Sequence, residues 1–451
     1  MTSPLGHKAQ TLREIRRVCS LGALSRDELP CFWVPTDAAR DPERSLRQAI
    51  KTKLDDCREG EDLHALVYGH GGCGKSTELA KLLEELGEGF FAVTFSIRSE
   101  MNLTAVRAED ILLVLTERLL NAAVEAKLKV NEGLLKPVLD YFASKTRTDT
   151  EGRHSELALK AEASAGTPGI LSGLLKLMAG FKSEIKLDVH STDTTVATLR
   201  KSPADLLEQI NAVVSSVRQA VPVDQRLLII VEDLDKLDIA SARQVFIENI
   251  NLLIGIRTNV VYTIPIFTFH SPDAGILRSR FEDFGMPMIK VMDWNGKRAD
   301  GFEIVKQIVL RRIAPAATEE TALDLLIEKT GGVLQHVFEV LHTSASMTSA
   351  TTPLRLEHIE YGLRKKRNEF WSEITLPMPP AKIDGLTSNE ELYDRLTEYA
   401  KRQLRGEKNL PMCEPVDQVL LRSCALVEYN GERWYGVHPL VIDNLKELGR
   451  I

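Results

Sequence analysis

Eight consecutive residues, Gly69-His70-Gly71-Gly72-Cys73-Gly74-Lys75-Ser76, fit the pattern G-x-x-x-x-G-K-[ST]. Glycines at this spacing let successive backbone N–H groups turn toward one anion. The lysine brings a mobile cation to the β- and γ-phosphates, and the hydroxyl after it is a ligand for Mg2+. Thr77 is the next polar side chain. Such a loop implies a bound nucleoside triphosphate; the competing reading is a chance match in a structural turn. Cys73 enters through its backbone, and its thiol is expected to lie open at the loop.

A triphosphate site also needs acids, and RLLIIVEDLDKLD places them where a buried strand ends. Glu232 is expected to hold Mg2+ through water, and Asp233 to orient or deprotonate the attacking water. The usual order at these two positions begins with Asp, so an exchange of the two roles stays open. Asp235 and Lys236 read as solvated residues at a helix start, where acids also serve as caps. Thr263, at the end of the following strand, stands where a polar side chain senses the γ-phosphate or aligns the water. A plain strand threonine is the alternative. ILRSRFEDF presents Arg278 and Arg280, and Arg280 is the candidate for an arginine finger reaching a neighbouring subunit's nucleotide. A surface arginine is the bland counterpart.

These residues need a frame. Apolar runs predict strands at Leu63–Tyr68, Phe90–Ser96, Leu227–Val231, Asn259–Ile264 and Met288–Val291, with amphipathic helices at 106–126, 204–220 and 241–254 between them. That alternation implies a parallel sheet covered by helices. Residues 128–200 read as an insertion with a polar centre, KTRTDTEGRHSE, and a break at GTPG. Its stripe Ile170, Leu174, Leu177, Met178 and Phe181 is expected to pack on the core rather than on a membrane or partner. After residue 300 four helices are predicted, near 300–313, 318–329, 333–346 and 355–370. After LPMPPAKIDG come two more helices and a hairpin turning at Asn430–Gly431. The expected units are a helical lead-in at 1–60, a core at 61–298, a lid at 299–375 and a small α+β domain at 385–451.

In this order GHGGCGKSTEL, VEDLDKL, the SRF segment and GGVLQHVFEVL resemble the AAA+ and STAND branch of P-loop ATPases, including KAP-type proteins and archaeal origin-recognition initiators. The resemblance covers roughly residues 30–370. It implies an α/β fold: a five-stranded parallel-sheet P-loop NTPase core with an α-helical lid, changing conformation with ATP. WVPTDAARDPERSLRQAI resembles the segment over adenine, which brings Val34, Pro35 and Arg40 near the base. Gln335 stands where the family's second sensor has arginine, so cis neutralisation from the lid is in doubt. With no NKxD, adenine is expected over guanine. The C-terminal segment resembles a reduced winged-helix domain.

Composition narrows the partners. A chain of 451 residues with 43 % hydrophobic and 27 % charged residues suggests two to four globular units. A net charge of −7 gives no general attraction to a polyanion. Residues 385–451 carry nine basic against eleven acidic side chains, a poor footprint for phosphate. The run Arg364-Lys365-Lys366-Arg367 is the best local nucleic-acid candidate, although charge on a helix is usually solvated. Six scattered cysteines suggest neither a zinc module nor a disulfide frame, which fits a reducing compartment. No signal core or membrane span is apparent, so a cytoplasmic protein is expected. The reading as a whole is an ATP-hydrolysing, Mg2+-dependent regulatory switch acting on a partner protein or through self-oligomerisation. An ATP-gated DNA-binding initiator or loader is the alternative, and a phosphotransferase a third.

Overall fold

The computed structural model describes residues 7–451 except 20–21, 42–44, 59, 104–105, 149–168, 188–193, 348–352, 375–385, 387, 410–413 and 430–433. Most of KTRTDTEGRHSE and GTPG, all of LPMPPAKIDG, Cys413 and the Asn430–Gly431 turn lie outside the described residues.

Five parallel strands form the central sheet: β1 (His64–Gly69), β2 (Phe90–Ser96), β3 (Arg226–Glu232), β4 (Asn259–Pro265) and β5 (Glu282–Gly285), in the order β2-β3-β4-β1-β5. The inner strands are unbroken apolar runs because helices cover both faces; every residue of β4 is buried. The edge strands differ. β2 alternates between buried and open positions, and β5 begins with Glu282 and Asp283. Val67 of β1 pairs with Thr263 of β4, and Val231 of β3 with Tyr262. The carboxyl ends of β1 and β3 therefore flank that of β4, and the chain reverses its direction of sheet growth beside β1. Ligands of open α/β sheets bind at such a reversal.

The fifth strand is not where the apolar pattern put it. Met288–Val291 lies beyond β5 and pairs with none of the five strands. Met288 N–H donates to Glu428 O (3.0 Å) and Lys290 N–H to Ala39 O (3.1 Å). Its apolar side chains are buried by the lid and the C-terminal segment, so burial produced the hydrophobic signal without sheet pairing.

The inserted helix Ile170–Lys186 and the helix Pro203–Ala220 pack on Ala108–Glu125, which is consequently buried almost all round, and the inserted helix Glu132–Thr148 packs on both of them. Leu174, Met178 and Phe181 face that interior, with Phe181 and Phe142 ring centres 5.6 Å apart. Beyond the sheet, helices Asp300–Arg312, Glu320–Thr330, Leu334–Ser346 and Leu356–Glu373 form the lid, and the N-terminal helix Leu12–Val18 packs on the third of them. The C-terminal part has helices Asn389–Leu404 and Pro415–Arg422, then the antiparallel pair β6 (Leu426–Tyr429) and β7 (Trp434–Val437). A further helix, Pro439–Glu447, was not anticipated from the sequence; proline at its first position and the His438 cap start it. Lys329 to Asp443 (2.8 Å) and Arg367 to Glu447 (2.7 Å) tie this part to the lid. Lys366 is buried among Glu339, Glu369 and Glu373, so half of the basic run is neutralised internally.

Candidate nucleotide site

The loop Gly69–Ser76 joins β1 to the helix Lys75–Leu86. Gly72 and Gly74 have φ of +72° and +106°, a region side chains enter only at a cost, and Gly74 is the N-cap with no side-chain partner. The first N–H groups of this helix are thus left for an anion. Lys75 is almost fully buried. Its Nζ donates to Gly69 O and His70 O, both at 2.9 Å, and lies 2.7 Å from Asp235 Oδ2. Burial alone would lower its pKa, but Asp235 outweighs that and holds the ammonium above its ordinary range.

Glu232 ends β3 facing Ser76, whose hydroxyl bonds to it. Burial, reinforced by Asp233 and Asp235 nearby, pushes Glu232 up to about 7 despite that bond. Asp233 has φ +66° and accepts hydrogen bonds from Ser96 at the end of β2 and from Lys236. Burial opposes its ionisation, yet those two bonds leave it below the usual carboxylate range. The two adjacent acids are therefore pushed apart in proton affinity.

The other predicted residues take varied positions. Thr263 is fully buried: its hydroxyl accepts from Leu234 N–H (3.2 Å) and lies 3.5 Å from Val231 O, fastening the turn after β3 from beneath. It does not line the cavity. Arg280 is exposed, and its side chain meets no group among the described residues, whereas Arg278 lies over the Phe269 ring at 4.8 Å. Arg40 is buried and supports the loop, donating to Cys73 O (2.6 Å), to Pro287 O and to Thr36 Oγ1 (2.9 Å). Thr77 accepts from Leu24 N–H at 3.3 Å. The Cys73 thiol is not open at the loop; it is fully buried, 3.9 Å from Lys75 Nζ. His70 is buried as well. Its Nε2 accepts from Glu428 N–H of β6 at 2.8 Å, and burial lowers its pKa to about 4, so the ring is neutral. The C-terminal hairpin therefore sits directly on the phosphate loop.

A cavity of about 560 Å³ opens over the loop, within the roughly 300–1,000 Å³ typical of ligand sites. One wall carries Gly71, Gly72, Lys75, Ser76, Asp233 and Asp235. Another carries Phe32, Trp33, Val34, Ile308, Arg312 and Phe338. Gln335 belongs to the lid face: its N–H donates to Gly72 O (3.3 Å), and a Cβ on Gly72 would lie 2.3 Å from its own. Trp33 is fixed by Glu78, which accepts from its indole N–H (3.1 Å) and pairs with Arg47 (2.7 Å). An uncapped helix start, a buried lysine, and a serine hydroxyl on a carboxylate are donors and acceptors that suit a triphosphate with Mg2+. Sequence reasoning took Asp235 for a cap and missed Arg312 altogether. The spacing of Asp235 from the β3 acids was visible, but nothing around Arg312 in VLRRI signals a site.

No protein-family model matches the chain, and no curated protein matches it. Among solved structures it is similar to Drosophila ORC bound to DNA, with 11 % identity, 100 % of this chain and 94 % of that chain covered, and a TM-score of 0.39. It is also similar to the Aeropyrum pernix ORC1 protein in complex with DNA, with 13 % identity, 95 % of each chain covered and a TM-score of 0.40. At this identity and overlap the likeness supports no statement about function.

Proposed function

We propose that the protein binds and hydrolyses ATP with Mg2+ as an AAA+/STAND-type switch whose output is a partner protein or a self-assembly. One observation carries the reading: Lys75 of the loop meets Asp235 just beyond β3, and Ser76 meets Glu232 at its end. Lys75 must exchange Asp235 for the β- and γ-phosphates when nucleotide enters, which frees the turn Leu234–Lys236. Asp233, the more acidic member of the β3 pair, is the group that orients or deprotonates the water. Mg2+ on Ser76 and Glu232 would neutralise charge on the β- and γ-phosphates. Any movement of the loop is felt at His70, whose bond to Glu428 N–H links it to the C-terminal hairpin. Arg280 is exposed and available to complete a neighbouring subunit's site.

The ATP-gated DNA reading has less behind it. Lys366 and Arg367 of the basic run are paired with acids, and the C-terminal segment has more acids than bases. The test is ATP turnover. Asp233→Asn is expected to lower it by roughly 10²–10⁴-fold, the usual contribution of a general base, while ATP still binds. Arg280→Ala should likewise spare binding and lower turnover. Wild-type turnover in Asp233→Asn would remove Asp233 from that role, and the absence of ATP turnover by the wild-type protein would refute the hydrolytic assignment.

A further inference from the structure

Arg312 ends the Asp300–Arg312 helix with its side chain in the cavity wall, 8 % exposed. Its guanidinium lies between two rings, 4.9 Å from the centre of Phe32 and 4.7 Å from that of Phe338. One N–H donates to Ile308 O at 3.0 Å, and no carboxylate forms an ion pair with it among the described residues. Burial lowers its pKa to about 10, which leaves it charged at neutral pH. The nearby Cys19 thiol is pushed by burial up to about 12 and supplies no anion. Glu28 acts on the guanidinium without forming an ion pair with it. A desolvated cation without a paired counter-charge is costly, and a leucine would fill such a wall without that cost. Its position relative to the loop matters as well. The phosphates are held where Lys75, Ser76 and the uncapped helix start converge, so the aromatic wall is left to the rest of the nucleotide.

We infer that Arg312 is the residue that grips the nucleoside of the bound nucleotide, a role resting on the ATP reading above. A guanidinium has five N–H donors and no acceptor, so it suits the ring nitrogens of a base and the hydroxyl oxygens of a ribose. Among the described residues one donor is used, toward Ile308 O. Phe32 and Phe338 fix the guanidinium plane, so little side-chain freedom is lost on binding. Both rings and Ile308 line the same wall, giving the flat apolar surface that a base needs.

The experiment compares ATP with inorganic tripolyphosphate, both with Mg2+, by calorimetric titration of the full chain. Arg312→Met is expected to weaken ATP by about tenfold or more, as for a lost charge-assisted hydrogen bond, and to leave tripolyphosphate within about twofold of wild type. Equal weakening of both ligands would overturn the inference, because Arg312 would then only support the cavity. Unchanged ATP affinity would overturn it too. If wild-type protein binds neither ligand, the nucleotide reading fails and takes this role with it. Should Arg312→Met not fold, Arg312→Lys keeps the cation, loses the planar fork and is expected to show the same selective loss.

Discussion

The two halves of the cavity are built on opposite electrostatic terms. In the phosphate half the buried charges are answered: Lys75 by Asp235, Asp233 by Lys236, and Glu232 by the Ser76 hydroxyl. In the aromatic half Arg312 has ring faces and one carbonyl. The first half resembles a lock already filled by its own residues, so a ligand must displace an internal partner to enter. The second offers unused donors, so a ligand adds contacts without breaking any. On the nucleotide reading proposed above, affinity for the phosphates is a difference between two sets of charge contacts, whereas affinity for the nucleoside is a direct gain.

Removing the cation of the phosphate half should have the largest effect. Lys75→Ala loses a charge-assisted contact worth about 1.5–3 kcal/mol, so ATP should bind at least roughly tenfold more weakly. Wild-type ATP binding by this variant would place the ligand elsewhere. Asp235→Asn removes the internal competitor instead and should have effects of opposite sign on binding and folding. Breaking a buried pair destabilises the free protein by about 3–5 kcal/mol, seen as a lower melting temperature. ATP should bind about tenfold more tightly, because Lys75 no longer leaves a carboxylate. Weaker ATP binding by Asp235→Asn would show that Asp235 helps hold the ligand.

Gly72→Ala tests the contact between loop and lid. Its Cβ would meet Gln335 at 2.3 Å, and φ of +72° disfavours any side chain by roughly 1–2 kcal/mol. Lower stability of the free protein is expected, and an unchanged melting curve would mean that loop and lid separate freely. The smallest effect concerns pH. Glu232, raised to about 7 from 4.5, binds a proton in the folded chain that the unfolded chain has released. The free protein should therefore lose stability as pH rises from 4.5 through 7. Mg2+-dependent ATP binding should strengthen over pH 6–8, since only the carboxylate serves a metal. A binding titration flat across that range would remove Glu232 from the metal site.

Much of the phosphate half was legible in one dimension. The G-x-x-x-x-G-K-S pattern works because its parts are sequence neighbours, and the strand before it and helix after it carry their own periodicities. The acids at the end of β3 announced themselves in the same way, through an unbroken apolar run that stops at Glu232. These features are local, so local sequence determined them, together with the inner strands, the lid helices and the inward stripe of the inserted helix.

Only the tertiary structure decided where those pieces meet. Met288–Val291 has strand composition, yet the sheet edge went to Glu282–Gly285 because the C-terminal hairpin and lid bury the apolar run. Thr263 was placed at the right strand end, but packing turned its hydroxyl under the β3 turn rather than into the cavity. Cys73 was placed in the loop and then folded inward. Arg312 lies some 240 residues from Lys75 in the chain, and the aromatic rings that flank it come from 32 and 338. No sequence periodicity encodes such a meeting. Side-chain partners across separate elements are set by how lid, hairpin and sheet pack, and burial then fixes which charges are answered and which are left for a ligand.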